Sequence, residues 1–242
     1  MPTARGALLD AAFTALADRP WSGVRMVDVA SAAGVSRQTL YNEFGSKDGL
    51  ARALVLREAD AYLAGVERAL AERPGDLRDR LLAVAEWTAG AARANPLVRA
   101  LLTGCWGERL HAPHPAAGAR TRQPPSPVPA QRRADAGTPA PVDLIAAVRD
   151  KTVAALERGR TAPKDSQASR TVRERDPRDP KDSRASKEEA GELAYRCELT
   201  VRLALSYVVA PASSREELGR LIGAALAGGA GVSGTSPRAA GR

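Results

Sequence analysis

The chain has 242 residues, of which 44% are hydrophobic, 26% are charged and only 4% are aromatic. This composition predicts a globular protein with an aliphatic, alanine-rich core. A membrane-spanning protein is not expected, because no apolar run reaches the roughly 18 residues that a spanning helix needs. The N-terminus lacks the apolar segment of a secretory signal. Two cysteines, Cys105 and Cys197, are too few for a disulfide framework, so we expect a cytoplasmic protein.

The formal net charge of +8 does not identify a binding element by itself. Between Met1 and Leu50 there are five basic and five acidic residues, so this part of the chain is neutral. Residues 111–190 contain 16 basic and 11 acidic residues and hold most of the excess. The charge adds non-specific attraction to phosphate, but a specific motif must carry any claim of nucleic-acid recognition.

The first part of the chain has helical periodicity. The apolar spacing predicts one helix over residues 4–18, two short helices over 27–33 and 37–44, and a long helix from 46 to about 70. Gly34 separates the two short helices, and Ser36 suits the N-cap of the second. This spacing is typical of a helix-turn-helix, in which the second short helix presents polar side chains to DNA.

The remainder is also predicted to be helical. Asn95-Pro96 predicts the start of a short apolar helix, and Ser186 with Glu189 forms a capping-box pattern that predicts a helix from Lys187 to Ala210. The other helices are predicted over 76–94, 142–158 and 213–226. Two segments poor in large apolar residues, about 111–141 and 159–186, are predicted to be disordered inserts.

No strand-like alternation occurs, so the predicted fold class is all-α. It comprises an N-terminal three-helix helix-turn-helix head, a long linking helix, and a larger helical body for dimerisation and ligand binding. The predicted domains are a DNA-binding domain at residues 4–54 and a regulatory and dimerisation domain at residues 55–228.

The segment RGALLDAAFTALA, followed by VDVASAAGVSRQTLYNEFGSKDGL, resembles the TetR family of bacterial transcriptional regulators. The specific part is GVSRQTLYNEF followed by SKDGL, because other helix-turn-helix families share only the start of this pattern. The resemblance covers residues 4 to about 70, and beyond Glu72 it concerns architecture alone. It implies a sequence-specific DNA-binding regulator, a dimeric repressor released by a small molecule, with an activator of the same family as the alternative.

The resemblance also implies roles for individual residues. Arg37, Gln38 and Asn42 lie where the family's recognition helix meets base edges. Thr39 and Tyr41 lie where it meets phosphate. Lys47 resembles the family's backbone-anchoring lysine, and Arg25 is a further phosphate candidate. Met26 stands where many members have threonine, so the resemblance does not imply that contact in this chain. The implied DNA partner is a roughly palindromic double-stranded operator.

The body suggests a dimer interface and a pocket. Residues 199–210 are apolar nearly all round, with Arg202 as the only charge, and such a helix needs cover from more than one side. A second copy would supply it through Cys197, Val201, Leu205, Val208, Leu218, Leu221 and Ile222. The candidate lining of a pocket for an unknown effector, which also suits plain core, is Trp87, Leu101, Leu102, Trp106 and Tyr195.

The sequence does not favour two other classes of function. An enzyme is not expected, because the sequence has no nucleophile elbow, P-loop or Rossmann glycine pattern. No cofactor or metal is expected either, since Cys105, His111 and His114 match no common zinc spacing. A non-specific DNA-binding protein is disfavoured by the neutral head, because such proteins depend on neutralising phosphates.

Overall fold

The computed structural model describes residues 3–73, 75–107, 110, 138–161, 180–210 and 214–228. Within these ranges every element is helical and there is no β-strand, which confirms the all-α prediction. The helices are α1 (Ala4–Asp18), a 3-10 turn (Trp21–Gly23), α2 (Met26–Ala32), α3 (Arg37–Phe44), α4 (Lys47–Glu72), α5 (Leu77–Ala94), α6 (Pro96–Thr103), α7 (Pro141–Thr161), α8 (Pro180–Val209) and α9 (Arg215–Gly228).

The chain divides into two compact units. The first comprises Met1–Ala64 and Ala91–Ile145, and the second comprises Gly65–Gly90 and Ala146–Arg242. The domains predicted from the sequence, residues 4–54 and 55–228, have a different boundary from these two units. They remain a prediction of which part binds DNA and which part regulates it.

The first unit contains the three-helix head, in which α1 packs against both α2 and α3. The Thr3 hydroxyl accepts a hydrogen bond from the Gly6 N–H at 3.1 Å and caps α1. Leu8, Ala12 and Leu16 are buried at helical spacing on the inner face of α1. The head therefore has an apolar core of its own.

The turn between α2 and α3 requires glycine. Gly34 has a φ of 68°, a conformation that other residues adopt only with strain. This turn lets the Val35 N–H donate to the Ala30 carbonyl at 3.0 Å, which closes the end of α2. Leu40 and Phe44 are then buried on the inner side of α3. The outer side of α3 is left for solvent.

The start of α6 is tied to α4 within the first unit. The Asn95 carbonyl oxygen Oδ1 accepts from the Leu97 N–H at 2.9 Å, and Pro96 occupies the first helical position, as predicted. The Asn95 amide Nδ2 also donates to Glu58 Oε2 at 2.6 Å. One residue thus caps α6 and binds the largely buried Glu58 carboxylate.

The second unit has a separate core. Leu81, Leu156 and Cys197 are buried together, with Val153 and Leu193 packed against them. Helices α8 and α9 contact each other. The apolar faces of these helices therefore pack against one another within the single chain.

Helices extend into both ends of the second predicted insert, about 159–186. Residues 159–161 belong to α7, and residues 180–186 belong to α8 rather than to a disordered segment. Pro180 suits a first helical position, because its missing N–H would have no partner there, and alanine, lysine and arginine in the following turns tolerate helix. The Ser186–Glu189 pattern therefore lies inside a helix and does not begin one. Residues 111–137 and 162–179 lie outside the described residues.

Candidate nucleic-acid interface

The outer face of α3 carries the polar side chains that the sequence singles out. Arg37, Gln38 and Asn42 are exposed, while Thr39 and Tyr41 are half-buried. The Ser36 hydroxyl accepts from the Thr39 N–H at 3.0 Å, and the two hydroxyl oxygens lie 2.8 Å apart. This N-cap fixes the start of the helix and confirms the role predicted for Ser36.

Contacts along α3 organise this face. Gln38 Nε2 donates to Asn42 Oδ1 at 2.9 Å, one helical turn away. The Arg37 guanidinium lies over the Tyr41 ring, 5.4 Å from its centroid, and forms no ion pair with any described carboxylate. The amide pair and the cation therefore lie side by side on the exposed helix, and the cation is available to an anion.

Two of the acidic residues of the head, Asp28 and Glu43, are paired with arginines. Glu43 accepts from Arg5 at 3.5 Å, and the Arg5 guanidinium also lies over the Phe44 ring at 4.6 Å. Asp28 pairs with Arg25 at 3.2 Å. These pairs reduce the negative potential beside α3, although exposed pairs contribute little to stability.

Lys47, at the start of α4, is positioned by the 3-10 turn. Its ammonium donates to the Ser22 carbonyl at 3.2 Å and lies 5.7 Å from the Trp21 ring centroid. An ammonium has three donors, so hydrogen bonds remain for a phosphate. Arg25, in contrast, has a side chain 76% exposed and is held only by Asp28 among the described residues.

These features form an exposed helix with two amide groups, two hydroxyls and a guanidinium that pairs with no described carboxylate, flanked by two further cations. Arginine pairs well with guanine edges and asparagine or glutamine with adenine edges. Hydroxyl and ammonium groups hydrogen-bond to phosphate oxygens. The arrangement is chemically suited to a DNA major groove.

The five predicted pocket residues are divided between the two units. Trp87 lies in the second unit beside Gly65 and beneath Arg68. Leu101 and Leu102 are core residues, and Tyr195 is 60% exposed. Only Trp106 lines a large cavity in the first unit, of about 590 Å³. The other walls of that cavity are Phe13, Leu16, Ala17, Pro96, Leu97, Arg99, Ala100, Cys105, Gly107 and Leu110.

The predicted interface residues divide into two groups. Five of them are buried inside the single chain, namely Cys197, Val201, Val208, Leu218 and Ile222. Burial also raises the pKa of the Cys197 thiol to about 12. Leu205 is half-buried and Leu221 is 50% exposed. Only these two of the seven side chains offer surface to a second copy.

Sequence reasoning missed the polar links within the first unit. Arg57 Nη1 donates to Asp10 at 2.6 Å, and Arg57 Nη2 donates to Glu58 at 2.8 Å. Together with Asn95, these residues connect α1, α4 and the start of α6. The Asn95-Pro96 pattern indicates where α6 begins. No pattern in the sequence indicates contacts between residues so far apart.

Within the described ranges, no three side chains of the metal-binding types come together. No helix in the same ranges is long and apolar enough to cross a membrane. His111 and His114 lie outside the described residues.

Comparison with known proteins identifies the N-terminal segment. Residues 8–54 match the family model for bacterial regulatory proteins of the tetR family. The chain is 43% identical over 100 residues to the HTH-type transcriptional regulator AlkX of Mycobacterium tuberculosis. The matched residues make up 41% of this chain and 47% of that relative.

Two relatives from Mycolicibacterium smegmatis differ in the sign of their regulation. The transcriptional activator FasR is 40% identical over 82 residues, covering 34% of this chain and 37% of the relative. The transcriptional repressor LfrR is 42% identical over 65 residues, covering 27% and 33%. The chain thus spans less than half the length of each curated relative it matches.

One solved structure shares the fold over nearly the whole chain. It is a tetR-family transcriptional regulator from Streptomyces coelicolor, with a TM-score of 0.50 and 19% identity. The match covers 93% of this chain and 79% of that one. At this identity the likeness concerns the fold alone.

Proposed function

We propose that the chain, whose residues 8–54 match the family model for bacterial regulatory proteins of the tetR family, is a sequence-specific DNA-binding transcriptional regulator of the bacterial cytoplasm. The observation that carries the proposal is the outer face of α3. There Arg37, which pairs with no described carboxylate, and the Gln38–Asn42 amide pair are exposed, while Leu40 and Phe44 anchor the opposite side.

This geometry supports the contacts that we propose. Arg37, Gln38 and Asn42 contact base edges in the major groove. Thr39 and Tyr41, half-buried on the same helix, contact phosphates, and Lys47 and Arg25 contact the backbone on either side. Glu43 takes no part, because Arg5 holds its carboxylate.

We further propose that two copies bind one operator. Tyr195, Val209 and Leu221 leave apolar surface exposed on α8 and α9, and a second copy would cover it. A two-fold dimer places two recognition helices about one DNA turn apart, roughly 34–36 Å, and requires a roughly palindromic operator.

Repression with release by a small molecule is the mode we propose. A dimer bound across a promoter blocks polymerase, and an effector that favours another geometry of the protein lowers the affinity for DNA. Activation is the second candidate, since FasR is an activator and LfrR a repressor at similar identity to this chain.

A gel-shift experiment tests the proposal. The purified chain is mixed with DNA flanking its own gene and with a scrambled competitor at physiological salt. We expect a discrete shift that resists the competitor, and a symmetric footprint within the fragment. If genome-wide selection of bound fragments also recovers no preferred site, the regulator proposal is wrong. Binding that vanishes equally for every sequence as salt increases would indicate a non-specific DNA-binding protein instead.

A further inference from the structure

The cavity in the first unit lies between a helix of the DNA-binding head and a helix outside it. Phe13 and Leu16 of α1 form one wall, and Pro96 and Leu97 of α6 form another. Trp106, which follows α6, forms a third. The volume of about 590 Å³ falls within the roughly 300–1,000 Å³ of small-molecule pockets. The walls offer an apolar surface to a ligand.

One lining residue gives the cavity a chemical preference. Arg99 is exposed on α6, and its guanidinium has no ion pair or hydrogen bond with a described residue. We propose that the cavity binds an amphipathic anion, whose apolar tail lies between α1 and α6 and whose acidic head pairs with Arg99. Burial of the tail supplies most of the affinity, and the guanidinium selects the sign of the head group.

The position of the cavity gives the ligand a route to DNA binding, and this step rests on the proposed function. Helix α1 packs on both α2 and α3, so a change in the spacing of α1 and α6 affects the helix that faces DNA. Arg57 lies 5.8 Å from the centroid of the Phe13 ring and binds Asp10 of α1. Its neighbour Glu58 binds Asn95 at the start of α6. A ligand that separates the two walls must strain these contacts, and it thereby favours a second arrangement of the head.

The two cysteines provide a built-in assay. Cys105 is exposed and lines the cavity, whereas Cys197 is buried with its pKa raised to about 12. Iodoacetamide should therefore alkylate Cys105 and leave Cys197 unmodified in the folded full-length chain, as measured by peptide mass spectrometry. Dodecanoate, below its micelle concentration, should slow alkylation of Cys105 about tenfold at roughly ten times its Kd, because only the unliganded fraction reacts.

Three variants test the chemistry of the site. Arg99→Gln should raise the Kd of dodecanoate roughly five- to tenfold and remove its advantage over dodecyltrimethylammonium. Arg220→Gln removes an exposed cation from α9 and should change nothing. Ala17→Phe adds a side chain at an exposed position of the α1 wall and should abolish protection by occupying the cavity.

Several outcomes would overturn the inference. Equal protection by the anionic and cationic probes, or protection that survives Arg99→Gln unchanged, excludes the anion preference. Protection only at concentrations where Cys197 also reacts indicates detergent unfolding and not a site. Absence of protection by either probe excludes the cavity as their site.

The effect of the probe on DNA binding is measured in an experiment separate from the thiol assay. A gel-shift with and without dodecanoate should show weaker binding in the wild-type chain and no response in Ala17→Phe. Protection of Cys105 without an effect on an established shift would overturn the regulatory step alone. Failure to bind any DNA in the absence of probe would overturn the proposed function while leaving the thiol assay interpretable.

Discussion

At the scale of single residues, Arg37 is the clearest test of the DNA interface. Its guanidinium is exposed on α3 and pairs with no described carboxylate. Arg37→Ala should weaken operator binding by about 1–3 kcal/mol, because the proposed bidentate contact with a base edge would be lost. The measurement is a titration of operator and random DNA at one salt concentration.

The matched control is Lys187→Ala, which removes an exposed cation from α8 more than two helical turns before Tyr195. It should leave operator binding unchanged apart from a small electrostatic effect. If Arg37→Ala weakens random DNA as much as the operator, the guanidinium contacts phosphate and the assignment to a base edge is wrong.

Sequence reasoning placed the polar residues of α3 correctly because their positions follow from local rules. The Gly34 turn, the Ser36 cap and the helical period of Leu40 and Phe44 together determine which side chains point outward. The pairing of Arg5 with Glu43 spans 38 residues and could not be predicted. No local pattern specifies a contact across such a distance.

At the scale of helices, Gly65 is a close-packing site on α4. A Cβ added there would overlap the indole of Trp87 on α5, and a large aromatic ring cannot move aside without disturbing its neighbours. Gly65→Ala should therefore lower the free energy of unfolding by about 1–3 kcal/mol, as overpacking does in other cores. Urea denaturation followed by circular dichroism measures it.

Gly90 supplies the matched control for that substitution. It lies on α5 with nothing within 4 Å of an added Cβ. Gly90→Ala should raise the free energy of unfolding by about 0.5–1 kcal/mol, because alanine restricts the unfolded chain and favours helix. Equal effects of the two substitutions would contradict the close approach of Trp87.

The start of α6 allows its two roles to be separated. Asn95→Ala removes both the cap and the donor to Glu58, and should cost about 1–3 kcal/mol of unfolding free energy. Asn95→Ser keeps a capping oxygen but loses the amide donor, so it should recover part of that loss. If the serine and alanine variants are equally destabilised, the cap contributes nothing measurable and the Glu58 contact dominates.

Helix boundaries were predictable where a cap or breaker stands in the sequence. Asn95-Pro96 and the Gly34 turn gave correct boundaries, because each acts on the backbone next to it. The start of α8 was misplaced because a capping-box pattern also fits the interior of a helix, and only packing distinguishes the two cases. The cavity could not be predicted at all, since α1 and α6 are about eighty residues apart in the sequence.

At the scale of the whole molecule, apolar periodicity alone could not assign the surface of a dimer. The run from Leu199 to Ala210 needs cover, but the single chain already buries Val201 and Val208 there. A sequence pattern gives the direction of a side chain and not the identity of the neighbour that covers it. The exposed Leu221 is therefore a better test of association than the buried Ile222 beside it.

Leu221→Glu should convert the proposed dimer into a monomer, because it places a charge on apolar surface that a second copy would bury. Sedimentation velocity measures the change in association. Urea denaturation should show no loss of stability, since Leu221 is already 50% exposed.

Val142→Glu is the matched control, because Val142 is 66% exposed at the start of α7 in the other unit. It should leave the sedimentation coefficient unchanged. A Leu221→Glu protein that remains dimeric would place the interface elsewhere, whereas a monomer with one-site binding to half-operators would tie association directly to operator symmetry.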